Sequence, residues 1–294
     1  MRHLICGAAL ALAGSGLGGA AGVTGIDRVT VNAPDARRVV IVGKEITETV
    51  FALGKSKNVV GRDLTSVYPA PAARLPNVGY VNTLGPEAII ALRPTLVIVN
   101  DTAPPITVQQ LRSAQVPVLQ LRTPQSAADA LNTVDTLGQV FGAQAQAQRI
   151  HADMERDLKA AQAFIASRPR KPRALILVGR PETGVAALGN GGGATAYAAF
   201  VSLLGATNVA NFGGLKNLGG ESVVDLAPDT LMFINRASGS LSQVGGRRAL
   251  LTRPEIALTP AAQQGRLYEI SEHDITFGPG IGKSLLKVAR LVYP

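Results

Sequence analysis

Cysteine is almost missing from this 294-residue chain: there is one, Cys6, and it lies in a segment built like a cleaved export leader. Met1-Arg2-His3 is a short positive start, Leu4 to Leu12 is apolar, and five glycines between Gly14 and Gly22 supply small residues for cleavage near Ala20 to Gly22. The apolar stretch is too short for a comfortable membrane span, and Cys6 lies too early in it for a lipid-attachment cysteine. Without the leader the chain has no disulfide, no thiolate nucleophile and no cysteine metal site. Histidine is scarce too: apart from His3 there are His151 and His273, whose spacing matches no zinc or iron site. No Gly-x-Ser-x-Gly elbow is present to hold a serine nucleophile. Loss of Arg2 leaves 28 basic against 20 acidic residues, a net of about +8. That balance suits an anionic ligand or surface. The charges form no run, which argues against nucleic acid, as does export.

What the chain does have is a repeat. Leu84-Gly85-Pro86-Glu87 leads through Ala88 to Pro94 into the apolar run Leu96 to Asn100; 134 residues later Leu218-Gly219-Gly220-Glu221 leads through Ser222 to Pro228 into Leu231 to Asn235. Gly205 to Val209 likewise resembles Gly54 to Val59. The repeat predicts two similar lobes built from the same helix-then-strand unit, and two lobes imply a cleft in which a small ligand can sit.

The local patterns fit that organisation. Short apolar runs at 38–42, 58–61, 96–99 and 116–121 alternate with helical stretches at 46–53, 86–92 and 108–114, the alternation of a parallel α/β sheet. From Ser126 to Ser167 the pattern is helical throughout, divided by Gly138 and Gly142; residues 143–167 would make a rod of roughly 38 Å. Apolar runs at 173–178, 185–188 and 267–270, with helices at 195–204 and 281–292, complete a second lobe. The expected division is a signal peptide at 1–22, an α/β lobe at 23–142, one long interlobe helix at 143–168 and a second α/β lobe at 169–294.

Few residues carry a chemical signal. Gly189 to Gly193 before a helix loosely matches a dinucleotide loop, but no acidic residue ends a following strand where a ribose needs one. More simply, the loop brings helix N–H groups to the cleft to hold an anion. His151 reads as a surface residue, and His273, on a loop in Ser271-Glu272-His273-Asp274, as a solvated histidine that could face the cleft. Tyr68, in Thr65-Ser66-Val67-Tyr68-Pro69-Ala70, has two readings. Either Tyr-Pro packs a loop, or the phenol stands at a cleft rim near Arg62 and Arg74, where cations favour phenolate, a hard ligand for ferric iron.

Thr65-Ser66-Val67-Tyr68-Pro69-Ala70 followed by Leu75-Pro76-Asn77-Val78-Gly79-Tyr80 resembles the periplasmic haemin-binding proteins of bacterial haem ABC importers. These belong to the wider class of metal-chelate and vitamin B12 binding proteins with a single long interlobe helix. The likeness runs through Gly43 to Gly54, the Glu87 and Glu221 units, Leu258 to Ala262 and Phe277-Gly278-Pro279. It implies an exported monomer that is not an enzyme, carrying ferric haem b with Tyr68 as its axial iron ligand. It also implies docking of Glu87 and Glu221, one per lobe, on arginines of an inner-membrane permease. Arg62, Arg74, Arg180, Gly191 and Phe277 are the expected pocket and propionate residues. Arg180 stands near where some relatives carry a histidine for a second haem, which makes a second haem on that ligand unexpected. The rival readings are the same fold binding a ferric siderophore or corrinoid, an exported enzyme using the glycine-rich loop, and a haem store without a transporter.

Overall fold

The computed structural model describes residues 22–32, 34–180, 184–189, 196–217, 220–236 and 239–293. The leader, apart from Gly22, lies outside the described residues, as do Gly191 and Leu218-Gly219 of the repeat. A small antiparallel pair, β1 (Val23–Thr24) and β2 (Thr30–Val31), opens the chain. The first lobe then runs β3 (Val39–Val42), α1 (Lys44–Ala52), β4 (Val59–Arg62), α2 (Pro86–Ala91), β5 (Leu96–Asn100), α3 (Pro105–Ser113) and β6 (Val118–Leu121). Its strands form one sheet in the order β4-β3-β5-β6, all parallel. Strands β3 and β5 are buried along their whole length, as a sheet covered by helices on both faces requires.

Two helices follow where the sequence predicts one interrupted stretch: α4 (Ala127–Val140) and α5 (Gln144–Ala166). Ser126 caps α4 by accepting from the Asp129 N–H (3.1 Å) while its hydroxyl donates to the Asp129 carboxylate (2.9 Å). The break falls at Phe141–Gly142, where Gly142 has φ +58°. Helix α5 buries Ala147, Ile150, Met154, Leu158 and Ala161, a stripe at helical spacing. At 23 residues it is roughly 35 Å long.

The second lobe contains β7 (Arg173–Arg180), β8 (Gly184–Leu188), α6 (Ala196–Leu203), β9 (Thr207–Asn208), β10 (Leu215–Asn217), α7 (Gly220–Leu226), β11 (Thr230–Asn235), short helices α8 (Gly246–Leu251), α9 (Pro254–Ala257) and α10 (Pro260–Gln263), β12 (Leu267–Ser271) and α11 (Ile281–Val292). Its six-stranded sheet runs β10-β8-β7-β11-β12, with β9 also on β7. The expectation of a parallel sheet holds for β9, β7, β11 and β12, but β8 and β10 are antiparallel additions. Strand β8 returns directly from β7 across a connection too short for the crossover a parallel neighbour needs.

Both lobes pack on α5. On the first side a Cβ built at Gly138 of α4 would lie 2.5 Å from the Ala147 Cβ. On the other, a Cβ at Gly282 of α11 would lie 2.6 Å from the Leu158 nitrogen. The two seats differ in what they press against, a methyl group in one case and backbone in the other. A single apolar cluster joins Ile41 and Ile98 of the first sheet, through the α5 stripe, to Ile176 and Ile234 of the second.

Candidate functional site

Parallel strands direct their carboxyl ends toward one edge of a sheet, and ligands gather there. Four such ends meet between the lobes. Strand β3 feeds α1 and supplies Lys44 and Glu48; β4 feeds the loop with Leu64, Thr65, Val67 and Tyr68; β11 ends at Asn235-Arg236; β12 ends at Ser271, followed by Glu272 and His273. With Tyr80 and Thr276 these residues line a cavity of about 410 Å³. A second cavity of about 350 Å³ adjoins it, walled by Phe51, Pro69, Pro279 and the same Glu48, Tyr68 and His273. Sites for small ligands run to roughly 300–1,000 Å³.

The tyrosine loop is held from beneath. The buried Asp63 carboxylate accepts from the Gly43 N–H (3.0 Å), the Thr65 N–H (2.9 Å) and the hydroxyls of Thr65 and Ser66. The Arg62 guanidinium donates to the carbonyls of Asp63 (3.0 Å), Leu64 (3.2 Å) and Ala73 (3.1 Å). Irregular backbone needs donors for its carbonyls, and Arg62 supplies three. With the loop tied down, its apolar side chains face outward: Leu64, Val67, Tyr68 and Tyr80 are all exposed, and all line the larger cavity. Tyr68 keeps 48 % of its surface, and among the described residues nothing bonds to its hydroxyl. Its ring lies on His273, centroids 3.6 Å apart and planes 30° apart.

Opposite the loop is a polar cluster drawn from both lobes. Lys44 Nζ lies 3.3 Å from Glu272 Oε1, Arg236 Nε lies 3.8 Å from the same oxygen, and the Tyr197 hydroxyl donates to it at 2.7 Å. Burial alone would raise the Glu272 carboxyl, but Lys44, the Tyr197 bond and Arg236 outweigh it and hold the group below its ordinary value. Tyr197 moves up, through burial and the Glu272 charge beside it. Burial likewise pushes Glu48 up, while the bond from His273 Nδ1 to Glu48 Oε1 (3.1 Å) raises His273. Lys44 and Arg236 thus share Glu272 between them, and Lys44 also acts on the Glu48 carboxylate, so both cations stand at the cavity wall beside two carboxylates.

The structure brings only part of the expected residue set to the cleft. Tyr68 lies on it. Arg62 does not: its guanidinium is committed to loop carbonyls and the residue is buried. Arg74, exposed on a turn, and Arg180, exposed at the end of β7, line neither cavity. Phe277 is 3 % exposed and packs with Ile275 and Ile281 in the core, because an apolar ring beside a covered sheet gains more inside than at a wet rim. Gly191 is outside the described residues. Glu87 and Glu221 each take the second position of their helices, α2 and α7, and Glu87 is exposed. Lys44, Glu48, Arg236 and Glu272 were not singled out from the sequence; the signal that marks them is their place just beyond a strand's carboxyl end.

The periplasmic binding protein family model matches residues 39–273. The solved structure of the periplasmic haem-binding protein RhuT from Roseiflexus sp. RS-1 is 31% identical, with a TM-score of 0.79 and coverage of 88% of this chain and 98% of that one. An uncharacterised ABC transporter substrate-binding lipoprotein of Bacillus subtilis is 24% identical over 267 residues, 88% of this chain and 81% of that protein. A cobalamin-binding protein of Halobacterium salinarum is 30% identical over 122 residues, 41% of this chain and 33% of that protein. The chain belongs to the periplasmic binding protein family, whose members hold a ligand rather than transform it.

Proposed function

From membership of that family we propose that this protein binds ferric haem in the interlobe cleft, with the Tyr68 phenolate as iron ligand, and delivers it to an inner-membrane ABC permease. The observation that carries the reading is the outward face of the 63–80 loop: Leu64, Val67, Tyr68 and Tyr80, two phenols beside apolar side chains with Tyr68 the more exposed, in one cavity with Lys44 and Arg236. A porphyrin has apolar faces, an iron that takes a hard oxygen ligand, and carboxylates at one edge. Lys44 and Arg236 would meet those carboxylates, in the place first expected for Arg62, Arg74 and Arg180. The protein works in the periplasm as a monomer after loss of residues 1–22, with lobes at 23–142 and 169–294 on the helix 143–168. Glu87 and Glu221 offer the permease one carboxylate per lobe, suiting a two-fold partner that presents the same basic pocket twice. The second reading, a corrinoid in the same cleft, is favoured by the likeness to a cobalamin-binding protein.

The test is titration of the mature protein with ferric haemin and, separately, with cobalamin, beside Tyr68→Phe. The expected result is a saturable ferric-phenolate spectrum that the substitution removes. Saturation by cobalamin with none by haemin would replace haem with a corrinoid.

A further inference from the structure

The ring lying on Tyr68 belongs to the other lobe. His273 stands in the turn that follows β12, and its N–H donates to Ser271 Oγ (3.3 Å). Its imidazole is fixed on the far side by Glu48 of α1, whose carboxylate takes the Nδ1 bond at 3.1 Å and is itself only 7 % exposed. One face of the imidazole then covers the Tyr68 ring at 3.6 Å. Glu48 and Tyr68 come from the first lobe and His273 from the second, so the stack forms only with the lobes in register. A ring in face contact with Tyr68 leaves no room for a porphyrin between the two. In this arrangement His273 cannot grip the iron from the opposite face, and whatever it does for the ligand it does through Tyr68.

We propose that His273, held by Glu48, is a positioning residue for the iron ligand: it fixes the plane and tilt of the Tyr68 phenol at the cleft, so that the oxygen meets the metal from one direction. The proposal rests on the reading of Tyr68 as iron ligand. An exposed tyrosine on a loop is otherwise free to rotate about two side-chain bonds, and a stacked aromatic partner removes most of that freedom. It also makes the affinity of a lobe-one ligand depend on a lobe-two side chain.

The experiment titrates ferric haemin into wild type, Tyr68→Phe, His273→Ala, His273→Phe and Glu48→Gln, reading affinity and the resonance Raman bands of iron-bound phenolate. His273→Ala should retain the phenolate bands but broaden them, with affinity lower by about three- to tenfold, the worth of one aromatic pair. His273→Phe restores a flat ring and should recover sharp bands and most of the affinity, which general destabilisation at this position would not allow. Glu48→Gln keeps a hydrogen-bonding partner for the imidazole and should resemble wild type. Wild-type affinity and bandwidth in His273→Ala, with the bands lost in Tyr68→Phe, would overturn the positioning role and leave Tyr68 as ligand. Phenolate bands that survive Tyr68→Phe would remove the reading beneath it and move the ligand to Tyr80, the other phenol of the cavity. If His273→Ala does not fold, His273→Gln serves in the same comparison.

Discussion

The two lobes share a frame and differ in what they hang on it. The parallel strands of the first run β4-β3-β5-β6 and those of the second β9-β7-β11-β12, in the same spatial order relative to the sequence. Helices α1 and α6 end alike: Gly54 and Gly205 have φ +74° and +71°, and the next residue donates back five positions, Lys55 to Val50 and Ala206 to Val201. The correspondence continues at Arg93 and Ala227 (φ +47° and +44°), each followed by proline, and at Gln115 and Gly265 (φ +61° and +62°). The lobes part company after β4 and β9. In the first, that connection is the anchored loop with Tyr68; in the second it forms β10 on the sheet edge. Strand order and helix ends are duplicated while the connections diverge, so the frame holds the lobes and the loops hold the ligand.

The comparison can be broken most severely at the transporter. Glu87→Arg and Glu221→Arg should each reduce haem uptake by about thirtyfold or more, the size of one lost interfacial charge pair, with haemin affinity unchanged. Uptake that falls for only one of them would show that the lobes are not equivalent partners. Next in size are the seats on α5. Gly282→Ala presses a methyl group on the Asp157-Leu158 backbone and should cost about 2–3 kcal/mol in urea unfolding. Gly138→Ala meets only the Ala147 methyl group and should cost about 1 kcal/mol. Equal losses would mean that α4 and α11 are seated alike.

The matched left-handed positions sharpen the comparison further. Gly54→Ala, whose methyl group meets open space, should lose about 1–2 kcal/mol. Gly205→Ala, whose methyl group would also press on Ile165 and the Tyr293 hydroxyl, should lose more. Arg93→Gly and Ala227→Gly, relieving the same backbone conformation, should gain up to about 1 kcal/mol. Opposite signs between the pairs, with the larger loss at Gly205, is the expected thermal-melt result. The smallest effect is acid sensitivity at the lobe boundary. Glu272 is held below its ordinary value of 4.5, so the stability it contributes is present above that value and lost as pH falls through its lower native one. Glu272→Gln should therefore flatten the acid limb of the melting temperature relative to wild type. An unchanged limb would mean that Lys44 and Arg236 gain nothing from that carboxylate.

Much of the frame was legible in the sequence because it rests on periodicity and turn chemistry. The runs at Val39, Leu96 and Leu231 are strands, and the α2–β5 and α7–β11 units occupy equivalent places in their sheets. The antiparallel pair β8 and β10 was not legible, since an apolar run such as Val185 to Leu188 does not reveal its direction. The site was legible only where a residue advertises itself, as Tyr68 does beside Pro69. Lys44, Glu48, Arg236 and Glu272 come from segments up to 228 residues apart and meet only once strand order is known. Nearness in sequence to Tyr68 does not reveal that the Arg62 guanidinium is turned to the carbonyls of an irregular loop.

The seats at Ala147 and Leu158 lie eleven residues apart on α5, about 16 Å along its axis. In mechanical terms the molecule is two levers pinned to one short shaft. A partner that grips the far ends of both levers loads that shaft in torsion, and a small rotation at the pins becomes a larger slip where the lever arms face each other. The face-to-face overlap of Tyr68 and His273 spans that gap, as do the Glu48–His273 and Lys44–Glu272 pairs. If Tyr68 is the iron ligand as proposed, torque at the shaft reaches the cargo as misalignment of that phenol.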